Sequence, residues 1–127
     1  QLCTAHAAYL VRLNFTGLPN GLAEVLNDTD KTIVGVGIDD DIKGLSKFSP
    51  IKKDAFLDLN DYCAEKGFEK VGARNLTAMV LGFRISKSKQ TSNWEKEELS
   101  EAQITYAATD AWVCREIFLK LNGIAQV

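Results

Sequence analysis

The feature that most restricts what this chain can fold into is the run from Leu99 to Gly123, which reads as one long amphipathic helix. Ser100-Glu101-Ala102-Gln103 is a capping box, in which the Ser100 hydroxyl and the Gln103 side chain each accept a hydrogen bond from an otherwise unpaired amide. Leu99 and Ile104 occupy the two positions of a hydrophobic staple. Ile104, Ala107, Ala108, Ala111, Cys114, Phe118 and Leu121 then fall on one arc at about 100° per residue, and Gly123 ends the pattern. A helix with such an arc must lay it on another element, which the upstream chain has to supply.

Upstream, Gln1 to Thr4 and Ala8 to Leu13 read as short strands joined by a turn at Ala5-His6-Ala7. Gly17-Leu18-Pro19-Asn20-Gly21 breaks the pattern, and Leu22 to Leu26 reads as a short helix. Thr32 to Ile38, β-branched apart from Gly35 and Gly37, has the look of a central strand buried on both faces. Helical spacing follows from Ile42 to Phe48, a further strand from Ala55 to Leu59, and a short helix from Asn60 to Lys66 stopped by Gly67. Asn75 is placed to cap a helix from Leu76 to Phe83, with Leu76, Met79, Val80 and Leu81 inward. Arg84 to Trp94 is polar and without periodicity, which makes it a loop. Strands come first and helices accumulate afterwards, so the expectation is a single α/β domain with helices packed on a small sheet.

With 127 residues there is room for one modest core and little more. A net charge of −2 excludes a grossly basic nucleic-acid coat but leaves open contact with phosphate through metal ions and a local basic strip. The three cysteines, Cys3, Cys63 and Cys114, are scattered and His6 is the sole histidine, which argues against a zinc site or a disulfide framework. The expectation is reduced thiols in a cytoplasmic or other intracellular compartment. Cys3 and His6 are formally available as a nucleophilic pair, without other support in the chain. No apolar run is long enough for a membrane span, so no membrane partner is expected.

Two places bring acids where chemistry is possible. Tyr106 and Asp110, four residues apart, share one face of the last helix at the margin of its apolar arc. A carboxylate there is costly unless it binds a cation or is hydrogen-bonded. On the pair alone, the alternative is Asp110 paired with a surface lysine and Tyr106 packed in the core. Asp39-Asp40-Asp41 lies where a strand gives way to a helix, the end of an α/β sheet at which ligands bind. Acids at that position also suit helix capping and the dipole, which accounts for one or two of the three. Arg84, Lys87 and Lys89 form a basic strip able to contact phosphates. Trp94 beyond it is placed either to stack on a base or, preferably, to anchor the loop. Trp112 on the opposite side of the helix, and Lys52 and Lys53, read as packing or surface.

Ser92-Asn93-Trp94, Leu99-Ser100, Gln103-Ile104 and Tyr106-Ala107-Ala108-Thr109-Asp110-Ala111 together resemble the third motif of the DEDD family of 3′-5′ exonucleases, tyrosine subgroup. Ribonuclease D and the Werner syndrome exonuclease domain belong to that subgroup. Val34-Gly35-Val36-Gly37-Ile38-Asp39-Asp40-Asp41, with Leu45 following, resembles the second motif, and Asn75 to Gly82 the helix between the two. The resemblance implies a ribonuclease H-like fold with a small central mixed sheet. It also implies two divalent ions, Mg²⁺ or Mn²⁺, and hydrolysis of nucleic acid, DNA or RNA, from its 3′ end. By the same resemblance Asp110 binds a metal directly, Asp41 acts on the second metal largely through water, and Tyr106 orients the attacking water. The family's first motif, an Asp-x-Glu on the first strand, supplies two further acids; Gln1-Leu2-Cys3 resembles the strand after it. The expectation is therefore a chain that begins beyond that acid pair. Two alternatives remain at this point: a catalytically inactive binding module of the same fold for nucleic acid or protein, and a plain α/β ligand-binding domain.

Overall fold

The computed structural model describes residues 1–86 and 92–123. They cluster into two compact units, one formed by Gln1–Val11 with Ala73–Val127 and the other by Arg12–Gly72.

In the first unit, β1 (Leu2–Cys3) pairs antiparallel with β2 (Ala8–Tyr9), Leu2 opposite Tyr9 and Cys3 opposite Ala8. Thr4 closes the connection: its amide donates to the Ala7 carbonyl at 2.9 Å, and its hydroxyl accepts from the amides of His6 and Ala7, each at 3.3 Å. His6 stands exposed on this turn. The unit continues with α5 (Ala73–Leu76), a π-helical turn over Thr77–Leu81, and α6 (Glu101–Leu121). β1, β2, α5 and the π turn all pack on α6. Leu76, Val113 and Ile117 are fully buried, and Ala107 and Cys114 lie beside them in the core. Each large apolar side chain so buried contributes about 1.5–3 kcal/mol. Thr77 is tolerated there because its hydroxyl donates to the Ala73 carbonyl at 2.6 Å.

The segment around Asn75 departs from expectation. The helix starts at Ala73, directly after Gly72 (φ +95°), so Asn75 lies inside it and not at the N-cap position expected of it. The following turn widens to π geometry and stops at Gly82 in the left-handed region. That geometry turns Met79 outward, 52% exposed, and leaves Leu76 as the deeply buried anchor.

In the second unit the expected strand from Ala8 to Leu13 has already ended, and Leu13–Thr16 forms a helical turn, α1. The Arg12 carbonyl accepts from the amides of Phe15 and Thr16, which bends the chain before Gly17. α2 (Asn20–Leu26) starts on Pro19, whose fixed φ suits a helix entry and whose carbonyl accepts from Leu22 and Ala23. β3 (Ile33–Gly35), α3 (Ile38–Leu45), β4 (Phe56–Asp58) and α4 (Leu59–Glu65) follow. β3 and β4 run parallel, with Ile33, Val34 and Gly35 opposite Phe56, Leu57 and Asp58, and α3 provides the crossover between them. Ala23, Leu26, Ile38, Ala55, Leu59 and Cys63 form the core.

β3 is shorter than the β-branched run suggested, and its residues are half-buried. Two glycines explain where it ends. A side chain at Gly35 would place its Cβ 2.9 Å from Ile38 Cγ2, so glycine there lets Ile38 fold back into the core. Gly37 adopts φ +67°, a left-handed turn that aims the next residues into a helix. Ile38 thus opens α3 and does not extend the strand. Among the described residues no helix is long and apolar enough to cross a membrane.

Candidate active site

The start of α6 is built as its sequence requires. The Gln103 amide donates to the Ser100 hydroxyl at 3.1 Å, and the Ser100 amide donates to Gln103 Oε1 at 2.9 Å, completing the capping box. Gln103 does more than cap. Its side chain is almost fully buried, and its Nε2 donates to Ser92 Oγ at 3.1 Å and to the Asn93 carbonyl at 3.0 Å. The Ser92-Asn93-Trp94 segment is thereby fastened to the helix. Trp94, half-buried, sets its ring 6.1 Å from that of Tyr106 at 43°. It is an anchor, as preferred from sequence.

The buried face of α6 is turned from the arc read from its apolar letters. Gln103, Ala107, Asp110, Cys114 and Ile117 recur at alternating four- and three-residue spacing; all but Asp110 are buried, and Asp110 is half-buried among them. Ile104, expected inward, is 45% exposed. A glutamine whose polar atoms are all paired can occupy a core position, and apolar periodicity does not register it. Asp110 therefore lies within the buried stripe and not at its margin.

That position sets its electrostatics. Burial raises the Asp110 carboxyl above its ordinary value, while a hydrogen bond from Gln1 Nε2 to Oδ2 at 3.0 Å pulls it down. Tyr106, one turn earlier, has its phenol raised by burial first and then by the Asp110 charge. The phenol is therefore protonated at neutral pH and keeps a proton to donate.

Asp39, Asp40 and Asp41 occupy the first turn of α3, in the other unit, and all three are exposed. The N-cap position itself is Gly37, and the three acids lie in the first turn, where the helix dipole favours them. Asp58, at the end of β4, supplies the hydrogen bonds instead: its carboxylate accepts from the amides of Gly37 (3.3 Å), Ile38 (3.2 Å) and Asn60 (2.9 Å). One side chain thus serves the starts of both α3 and α4. Reading Ala55 to Leu59 as one strand hides Asp58; an Asp directly before a helical run is the signal that marks it. Asp39 pairs with Lys53 at 2.6 Å on the surface, where such a pair contributes little.

Arg84 is exposed just beyond the π turn, and Lys87 and Lys89 lie outside the described residues. Trp112 is 40% exposed and stacks on Phe83 with ring centroids 6.2 Å apart. Cys3 is no nucleophile: burial raises its thiol, which donates to the neighbouring Thr4 carbonyl at 3.2 Å. Among the described residues, no three His, Cys, Asp or Glu side chains are gathered as a metal cluster.

Residues 1–125 match the family model described as 3′-5′ exonuclease. The chain belongs to the 3′-5′ exonuclease family. It is 33% identical over 130 residues to the mouse bifunctional 3′-5′ exonuclease/ATP-dependent helicase WRN, covering 98% of this chain and 9% of that protein. It is 34% identical to mouse exonuclease 3′-5′ domain-containing protein 2, covering 90% of this chain and 19% of the relative. The crystal structure of the Aedes aegypti Nibbler EXO domain is similar at a TM-score of 0.71 and 28% identity, over 80% of this chain and 56% of that one. The chain therefore has the α/β, ribonuclease H-like fold expected from its motifs, and it spans a small part of its curated relatives.

Proposed function

We propose that residues 1–127 belong to one exonuclease domain that hydrolyses phosphodiester bonds of nucleic acid from the 3′ end. The observation that carries this reading is the Asp110 carboxylate held within the buried stripe of α6, with a protonated Tyr106 one turn before it. A carboxylate drawn out of water and raised by burial is a group that a bound cation stabilises in its charged form. Its oxygens are hard donors of the kind Mg²⁺ and Mn²⁺ take. Asp110 would hold such an ion, and Asp41 would serve the second; Asp41 enters on its motif alone. When bound, the ions activate water and stabilise the leaving 3′ oxygen.

The chain's own residues then divide the work. Asp110 in its ionised form would hold the cation, and the Tyr106 hydroxyl would donate to the attacking water or to a phosphate oxygen, setting the line of attack on phosphorus. The basic strip of Arg84, Lys87 and Lys89 would meet phosphates upstream of the terminal nucleotide. Attack at phosphorus with departure of the 3′ oxygen releases a nucleoside 5′-monophosphate at each turn.

The test is trimming of a 5′-labelled single-stranded oligonucleotide with Mn²⁺ or Mg²⁺. A ladder shortening from the 3′ end is expected, silenced by EDTA and by Asp110→Ala. Undiminished trimming by Asp110→Ala would remove the mechanism.

A further inference from the structure

We infer that Gln103 is a positioning residue, whose side-chain amide holds Ser92-Asn93-Trp94 so that Trp94 braces Tyr106. The inference rests on the reading of Tyr106 as the residue that orients water, and it adds a residue which that reading does not use.

A capping box asks only for an acceptor at the third helical position, and Glu or Gln fills it equally well. Here the cap consumes Gln103 Oε1, which accepts from the Ser100 amide at 2.9 Å. The two hydrogens on Nε2 have a separate use: one goes to Ser92 Oγ at 3.1 Å and the other to the Asn93 carbonyl at 3.0 Å. The amide orientation follows from its partners, since the reverse would set NH₂ against a donor amide and oxygen against a carbonyl. Gln103 is 2% exposed, so water does not substitute for a lost partner.

Asn93 directly precedes Trp94, and Tyr106 stands three residues after Gln103 on the same helix. The tether and the residue it positions therefore share one rigid element, and the Trp94 ring is carried to 6.1 Å from the Tyr106 ring. With glutamate at 103 the cap acceptor survives. The second carboxylate oxygen would then face the Asn93 carbonyl, acceptor against acceptor, and the segment carrying Trp94 would be released. The Ser92 hydroxyl can turn to donate, so Asn93 is the contact that is lost.

The test compares Gln103→Glu with Ser100→Ala in a Trp112→Phe background, where Trp94 is the sole tryptophan. Gln103→Glu is expected to shift Trp94 emission to the red and to lower kcat at least tenfold, with KM within twofold of the parent. Ser100→Ala breaks one cap bond and leaves the tether, so its melting temperature should fall while Trp94 emission is kept and kcat stays within twofold. Parent-like emission in Gln103→Glu overturns the inference, as does an equal loss of kcat in Ser100→Ala. Should Gln103→Glu fail to fold, Gln103→Met keeps the side-chain volume and removes both tether bonds, with Ser100→Ala as the control for the lost cap; a red shift with a threefold or greater loss of kcat supports the tether, and parent-like emission overturns it. Emission is read without metal or substrate. A parent protein that trims no oligonucleotide would therefore count against the exonuclease reading, while the emission still decides whether Gln103 holds Trp94.

Discussion

At the scale of the residue, Asp110 sets chemistry against stability. Burial raises its carboxyl in the fold, so between its ordinary value and that raised one the folded state binds more protons than the unfolded state. Stability then falls as pH rises through this window, and the deficit persists at neutral pH. Asp110→Asn removes the ionisable group and retains an oxygen that can accept from Gln1. In EDTA at pH 7 the variant should melt above the parent, and the gap should close as pH is lowered below the ordinary carboxylate range. A parent that melts higher in EDTA at pH 7 would contradict the burial argument. Tyr106→Phe tests the neighbouring group. A hydrogen bond to a charged partner is worth about 1.5–3 kcal/mol, roughly 10- to 150-fold in rate. The loss is expected in kcat at unchanged KM, measured under single-turnover conditions. Both residues were legible in the sequence from their spacing and motif. The depth of Asp110 was not, because the letters show an apolar arc and conceal that a fully paired glutamine can define the core face.

At the scale of the element, legibility followed how each boundary is made. The start of α6 was readable because a capping box is local, its partners lying within three residues. The start of α3 was not, since the hydrogen bonds to Gly37 and Ile38 come from Asp58, some twenty residues on and across a parallel strand pair. The end of β3 was likewise hidden in a β-branched run, because Gly35 acts through a close approach of Ile38 that exists only in the folded chain. Asp58→Ala should therefore cost more than an ordinary cap, about 2 kcal/mol, at the top of the range for losing one. Asn retains an acceptor oxygen and should recover part of that loss. Urea melts of the two variants check this: equal destabilisation by Ala and Asn would mean that charge, and not hydrogen bonding, joins the two helix starts.

At the scale of the whole molecule, the α/β class, the family and the candidate acids were all present in the letters. The division into two compact units was not, because the first unit joins the two ends of the chain and no local pattern announces that. The proposed function makes metal binding and folding one linked equilibrium. A cation that binds only the folded protein stabilises it by RT ln(1 + [L]/Kd), about 2.7 kcal/mol when the free ion is at 100 times its Kd. For a domain of this length that corresponds to roughly 10 °C in melting temperature. Asp110→Asn lacks the anionic ligand at one ion, so its melting temperature should rise much less with Mn²⁺ than the parent's. The two curves are therefore expected to cross. The variant is the more stable protein in EDTA, because it no longer buries a charge, and the parent becomes the more stable one as Mn²⁺ is titrated in. A thermal-shift series in Mn²⁺ at pH 7 measures both ends. Parallel rises in parent and variant would show that the ion binds away from Asp110, and no rise in either would remove the cation from the proposed mechanism.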